Sequence, residues 1–316
     1  MHENELLDNL RHLFASSDSS VLTGSGPDDC AHLALDSRRL AVSTDAFAEG
    51  SHFLPDAPPR DVGRKALAAS LSDLAASACR PRWALVSLCL RRGVGAEWAG
   101  EFARGVAETA REYGVSIVGG DTVSAPGGTF VSVTVIGVPL PGGPVLRSGG
   151  RAGDVLAVTG TLGGSLSGRH LRPEPRLREI AWLMDFCVAR AGGACPTALM
   201  DLSDGLGLDL SRLCRESGVG AIVDAAAVPV SDAAKAAAAR SGKTALEHAL
   251  GDGEDFELLI AVPSATWRAL STSTEYPAEL ARFVAVGELR SEPGVMLRFP
   301  DGTMKNMAAE GFEHQW

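Results

Sequence analysis

No stretch of this sequence approaches the roughly 20 consecutive apolar residues that span a bilayer, so a membrane-spanning protein is not expected. The start, Met1-His-Glu-Asn-Glu-Leu-Leu, is polar and acidic and has none of the apolar stretch of a secretory signal. The expected location is therefore the cytoplasm. Six cysteines are scattered with no Cys-x-x-Cys pair, which speaks against a disulfide framework and leaves most of them as small buried hydrophobes. Seven histidines form no His-Glu-x-x-His, so a zinc hydrolase has no support. Neither Gly-x-Gly-x-x-Gly nor Gly-x-Ser-x-Gly occurs complete. The nearest approach to a P-loop, Ala237 to Thr244, lacks its first glycine and follows an Ala-rich helix, so Gly242 reads as a helix cap. Basic residues are also in deficit. With 39 acids against 29 bases the net charge is −10, which disfavours a nucleic-acid partner. Were acids gathered at a phosphate site, divalent cations would have to sit between the like charges.

What is present is an α/β alternation along 316 residues, a length that suggests about two domains. Leu6, Leu7, Leu10, Leu13 and Phe14 recur at helical spacing. Two short strands are expected at 31–35 and 40–43, then a helix from Asp61, as N-cap, to about Cys79. A strand at 83–90, a helix at 97–112 and a strand at 115–118 follow. Residues 129–138 alternate well enough for a strand at a sheet edge or on a half-buried face. The segment Pro139-Leu-Pro-Gly-Gly-Pro144 is the strongest breaker, and the expected domains are 1–146 and 147–316. In the second half, strands are expected at 154–159, 198–202, 220–224, 256–262 and 283–286. The mixture of hairpin and crossover connections predicts mixed sheets in two α/β domains.

Acids recur at the ends of these expected elements: Leu40-Ala-Val-Ser-Thr-Asp45, Ile117-Val-Gly-Gly-Asp121, Leu199-Met-Asp-Leu-Ser-Asp204 and Ser70-Leu-Ser-Asp73. Asp28-Asp29 on a glycine loop and Gly253-Glu254-Asp255 add two more. Singly, each acid reads as a cap or turn residue. Asp73, inside an apolar helical run where an uncompensated charge is costly, does not. Carboxylates outside strand ends converge on one crevice in open α/β sheets, where Mg²⁺ takes oxygen ligands.

In order and spacing, these motifs resemble the thiamine-monophosphate kinase family over nearly the whole chain. The series also includes Glu49-Gly-Ser-His52, Gly63-Arg-Lys-Ala-Leu, Arg147-Ser-Gly and, near the end, Gly311-Phe-Glu-His. The resemblance implies an aminoimidazole ribonucleotide synthetase-like architecture. In it, an N-terminal domain holds ATP and Mg²⁺ and pairs in a homodimer, and a C-terminal α/β domain closes over the site. It implies ATP-dependent conversion of thiamine phosphate to thiamine diphosphate, in thiamine diphosphate biosynthesis, with several Mg²⁺ ions and no protein nucleophile. Carried over by residue, Asp29, Ser43, Asp45, Asp73, Asp121 and Asp201 bind metal, with Thr44 and Asp204 assisting and Asp28 an open alternative to Asp29. Gly120, Asp121, Arg147 and Ser203 contact ATP. His52, Glu254 and Phe312 contact thiamine phosphate, Phe312 as a stacking face or else as a plug for the C-terminus. A sister ligase and a HypE-like maturation scaffold are the rivals. Asp201-Leu-Ser-Asp-Gly-Leu206 argues against the first, and the lack of any cysteine after Cys214 against the second.

Overall fold

The computed structural model describes residues 18–23, 28–36, 38–190, 192–307 and 311. The expected helix around Leu6 to Phe14 lies outside them, as does Phe312.

Six strands form the first sheet: β1 (Val21–Thr23), β2 (Ala31–Leu35), β3 (Arg38–Ala48), β4 (Cys79–Arg91), β5 (Ser116–Ala125) and β6 (Phe130–Pro139). Their order is β1-β2-β3-β6-β4-β5. Among the described residues only β4 and β5 of this sheet run parallel, and the helix α2 (Ala96–Tyr113) provides the crossover that a parallel pair requires. On β6 the alternation is clean: Val131, Val133 and Val135 are buried while Ser132, Thr134 and Ile136 are half-exposed. One face of this sheet is therefore covered and the other open.

Seven strands form the second sheet: β7 (Val155–Thr159), β8 (Ala198–Leu202), β9 (Gly220–Asp224), β10 (Glu257–Val262), β11 (Phe283–Arg290), β12 (Gly294–Arg298) and β13 (Met304–Asn306). The order is β13-β12-β9-β11-β7-β10-β8, with β9 and β12 the parallel pair. Strands β8 and β10 are buried at every residue, apolar apart from Asp201 and Glu257.

Helix α1 (Pro59–Ala76) lies between the sheets, against β3, β4 and β6 on one side and β8 and β10 on the other. That position explains its composition. An Ala- and Leu-rich helix buried nearly all round lets two sheets approach closely, where an amphipathic helix would need a wet face. One apolar cluster, with α1 and α3 (Leu177–Arg190), joins the two sheets. A second fills the far side of the second sheet under α4 (Leu206–Ser217).

Several expectations change. Pro58, not Asp61, precedes α1, and Asp61 sits in its first turn, because two prolines pre-set the backbone there. Of the two readings of strand 129–138 the half-buried face holds and the edge does not, since β6 pairs with both β3 and β4. Strands β3 and β5 run well past the expected ends, so Asp45 and Asp121 lie inside strands. The glycines at 119 and 120 do not stop β5. A Cβ at Gly120 would lie 1.9 Å from the Val86 carbonyl oxygen, so this pairing needs a residue without one.

Candidate active site

Three carboxylates from three elements meet at the junction of the sheets. Asp29 comes from the bend before β2, Asp73 from the penultimate turn of α1 and Asp201 from β8. One oxygen of each lies within 4.8 Å of the others. Asp201 pairs with Leu258 of β10 in the buried part of the second sheet. Burial pushes the Asp73 carboxyl well above the usual range, and the charges of Asp45, Asp201 and Asp29 push it further. Asp201 is raised for the same first reason, with the charges of Asp29 and then Asp209 adding to it. Asp45, facing the same way from β3, is raised by burial against a hydrogen bond from Ser70. Like charges held this close away from water demand a cation.

Part of that demand is met within the chain. Arg147 forks onto Asp29, with Nε–Oδ2 at 2.9 Å and Nη2–Oδ1 at 2.7 Å. Its backbone N–H donates to Asp28 Oδ1 at 2.7 Å. Asp29, not Asp28, is thus the acid that reaches Asp73 and Asp201, while Asp28 fixes the backbone at Arg147. The Ser43 hydroxyl donates to the Asp73 carboxylate. Thr44, the next residue, faces the open side of the sheet and bonds Thr134 Oγ1 at 3.0 Å, away from the acids.

The acids open into a pocket of about 360 Å³. Asp45, Asp73, Asp201, Ser203 and Asp204 line it together with Phe47, Ser51, His52, Leu166, Asp252, Glu254 and Phe256. His52 stands on the turn after β3, where its Nδ1 accepts from the Ala48 N–H at 3.1 Å and its ring meets Phe47 edge-on at 5.8 Å. Glu254 and Phe256 both have positive φ, 52° and 51°, a region that disfavours side chains. Backbone bonds from Glu254 N to Ser203 O (2.6 Å) and from Phe256 N to Leu202 O (2.8 Å) hold that loop in place.

Two groups that the sequence reading passed over support these loops. The Asp209 carboxylate accepts the Asp204 and Gly205 N–H groups at 3.0 and 3.1 Å and pairs with Arg212, which also reaches Asp204. Burial pushes Asp209 up to about 7. Lys65, buried in α1, donates to the His52 carbonyl oxygen and to Glu254 Oε1, both at 2.6 Å. Its signal in the sequence was a lysine in an apolar helical run, as for Asp73.

Gly120 and Asp121 are not brought to this pocket within one chain. Asp45 pairs with Val133 of β6, Val133 with Val86 of β4, and Val86 with Gly120 of β5. Three strand spacings amount to about 14 Å. Asp121, one residue on, points to the opposite, open face.

Residues 27–139 match the family model described as AIR synthase related protein, N-terminal domain. A thiamine-monophosphate kinase of Rhodopirellula baltica is 39% identical over 277 residues, covering 87% of this chain and 84% of the relative. The chain belongs to the thiamine-monophosphate kinase family. The Escherichia coli K12 thiamine-monophosphate kinase is 33% identical and spans 95% of this chain and 94% of its own length. Among solved structures, AaThiL complexed with AMPPCP and TMP superposes with a TM-score of 0.82 at 28% identity, covering 99% of this chain and 97% of that one. Family membership makes this protein a kinase with the aminoimidazole ribonucleotide synthetase-like fold, and the rival ligase and scaffold readings fall away.

Proposed function

We propose that this kinase transfers the γ-phosphoryl group of ATP directly to thiamine phosphate, giving thiamine diphosphate and ADP. The observation that carries the reading is the convergence of Asp29, Asp73 and Asp201, the last two lining a pocket shared with His52 and Glu254, in a chain of this family. A phosphate monoester has a second pKa of about 6, so the acceptor is already a dianionic nucleophile at neutral pH and needs no general base. The barrier is repulsion between two polyanions and their alignment.

The donor set suits a hard divalent cation such as Mg²⁺: carboxylate and hydroxyl oxygens, with no nitrogen or sulfur among them. Asp29, Asp45, Asp73 and Asp201 would hold such ions with Ser43, assisted by Asp204, whereas Thr44, turned to the open face, lies away from them. When bound, the ions would screen the phosphates from each other. Arg147, released from Asp29 or shared with it, and Ser203 would contact ATP phosphates. His52, Glu254 and Phe312 would contact the acceptor.

The assignment of Gly120 and Asp121 to ATP and metal requires a second copy of the chain. Strand β5 is exposed along almost its whole length, Ile117, Val118 and Val123 included. Its outer edge, unpaired among the described residues, and the open sheet face are the surface through which a homodimer would bring Asp121 to the other subunit's acids. The test of the activity is direct. Purified protein with ATP, Mg²⁺ and thiamine phosphate is expected to yield thiamine diphosphate and ADP in equal amounts. No product, together with ring closure of formylglycinamidine ribonucleotide, would instead make the chain a sister ligase.

A further inference from the structure

Lys65 is 1% exposed, among the most buried of the large side chains in the protein. An ammonium held away from water is strongly disfavoured unless it is paired, and burial does lower the affinity of Lys65 for its proton. Its position therefore calls for an explanation. Two hydrogen bonds of 2.6 Å supply one, to the His52 carbonyl oxygen and to Glu254 Oε1. The first partner belongs to the turn between β3 and α1, the second to the loop that enters β10 in the other sheet. One cation thus ties together the two loops that carry His52 and Glu254 into the same pocket.

We propose that Lys65 is a positioning residue for the phosphate acceptor, locking the Glu254 carboxylate in the pocket with one oxygen and leaving the other for the ligand. The inference rests on the kinase reading above and deepens it. Glu254 lies at a positive φ, so its backbone alone does not favour the conformation that directs the side chain inward. No second partner of its carboxylate occurs among the described residues. Held this way, Glu254 presents a fixed hydrogen-bond acceptor that suits an amino-substituted heteroaromatic ring, with Phe47 and Phe256 as apolar neighbours in the pocket. The donor nucleotide gains nothing from this arrangement. Lys65 should therefore discriminate between the two substrates.

The test compares wild type, Lys65→Met, Glu254→Gln and the double variant. Binding of thiamine phosphate and of the ATP analogue AMPPCP is measured by calorimetry and turnover in parallel, with Mg²⁺ present. Lys65→Met is expected to weaken thiamine phosphate by about tenfold or more, on the scale of losing hydrogen bonds to a charged group, and AMPPCP less than twofold. Lys65 acts through Glu254, so the double variant should be no weaker than Glu254→Gln alone. Equal loss for both ligands with a lowered melting temperature would make Lys65 a structural staple and overturn the proposal. So would multiplied losses in the double variant. If Lys65→Met does not fold, Lys65→Gln carries the same comparison. A wild type that binds thiamine phosphate but forms no thiamine diphosphate would remove the kinase reading, while the binding cycle would still decide the role of Lys65.

Discussion

At the residue scale, Asp73 is an acid inside an apolar helix that meets two other carboxylates. Burial raises its carboxyl most, and the neighbouring charges of Asp45, Asp201 and Asp29 add to it. An acid whose proton is held more tightly in the folded state favours unfolding once it ionises. The metal-free protein is therefore expected to lose stability as pH rises from the ordinary aspartate range through this raised value. Asp73→Asn cannot ionise. Its metal-free form should be more stable than wild type at pH 7.5, with a higher Tm and a flatter pH profile in differential scanning calorimetry. Turnover should fall by about a hundredfold or more, and the rise in Tm on adding Mg²⁺ should largely vanish. A variant with wild-type turnover and an unchanged Mg²⁺ response would show Asp73 to be a structural acid. In the sequence Asp73 was legible because charge inside an apolar run has no bland explanation. Asp209 was not, since an acid in the first turn of a helix is what the helix dipole favours anyway.

At the element scale, α1 carries both Lys65 and Asp73, so its placement sets the site. It is held against α2 by two glycines. A Cβ on Gly63 would sit 2.2 Å from the Phe102 carbonyl oxygen, and one on Gly105 would sit 2.0 Å from that of Arg60. Helix propensity alone favours Gly105→Ala by about 1 kcal/mol. The steric clash with backbone is expected to win, for a net loss of roughly 1–3 kcal/mol as in other overpacked interfaces. Urea unfolding would measure this. A higher midpoint would mean that the helices separate easily and that propensity decides. Strand lengths were less legible than helices. Gly119 and Gly120 read locally as a stop, yet β5 continues through them because the neighbouring Val86 carbonyl occupies the space a side chain would need. Strands β1 and β13 escaped notice because three residues carry too little periodicity to stand out, and β12 was missed as well.

At the scale of the whole molecule, the separation of Asp121 from the acid cluster makes the homodimer testable by complementation. Subunits carrying Asp73→Asn and subunits carrying Asp121→Asn are each expected to be nearly inactive alone. Were Asp121 to serve the partner's acids, each mixed dimer would keep one site with both acids intact. Equal co-expression should then restore about a quarter of wild-type activity, half the dimers being mixed with one good site of two. No recovery, with mixed dimers demonstrated by differential tags, would mean that Asp121 acts within its own chain or not at all.

The sequence by itself determined the family, because an ordered series of short motifs over the whole chain survives at 33–39% identity to known members. It also singled out the acids, since their residue types and their order along the chain are local facts. Only the tertiary structure decided which of them share a site. Asp29, Asp73 and Asp201 meet because α1 is buried between two sheets and β8 lies next to β10 at its edge. Asp121, as strong a candidate on the page, lies three strands away on the other face. Arg147 is turned onto Asp29, and Lys65 onto His52 and Glu254. Strand order, facing and partner choice follow from long-range packing, where a shift of one residue in register reverses the side a carboxylate occupies. No spacing along the chain encodes that.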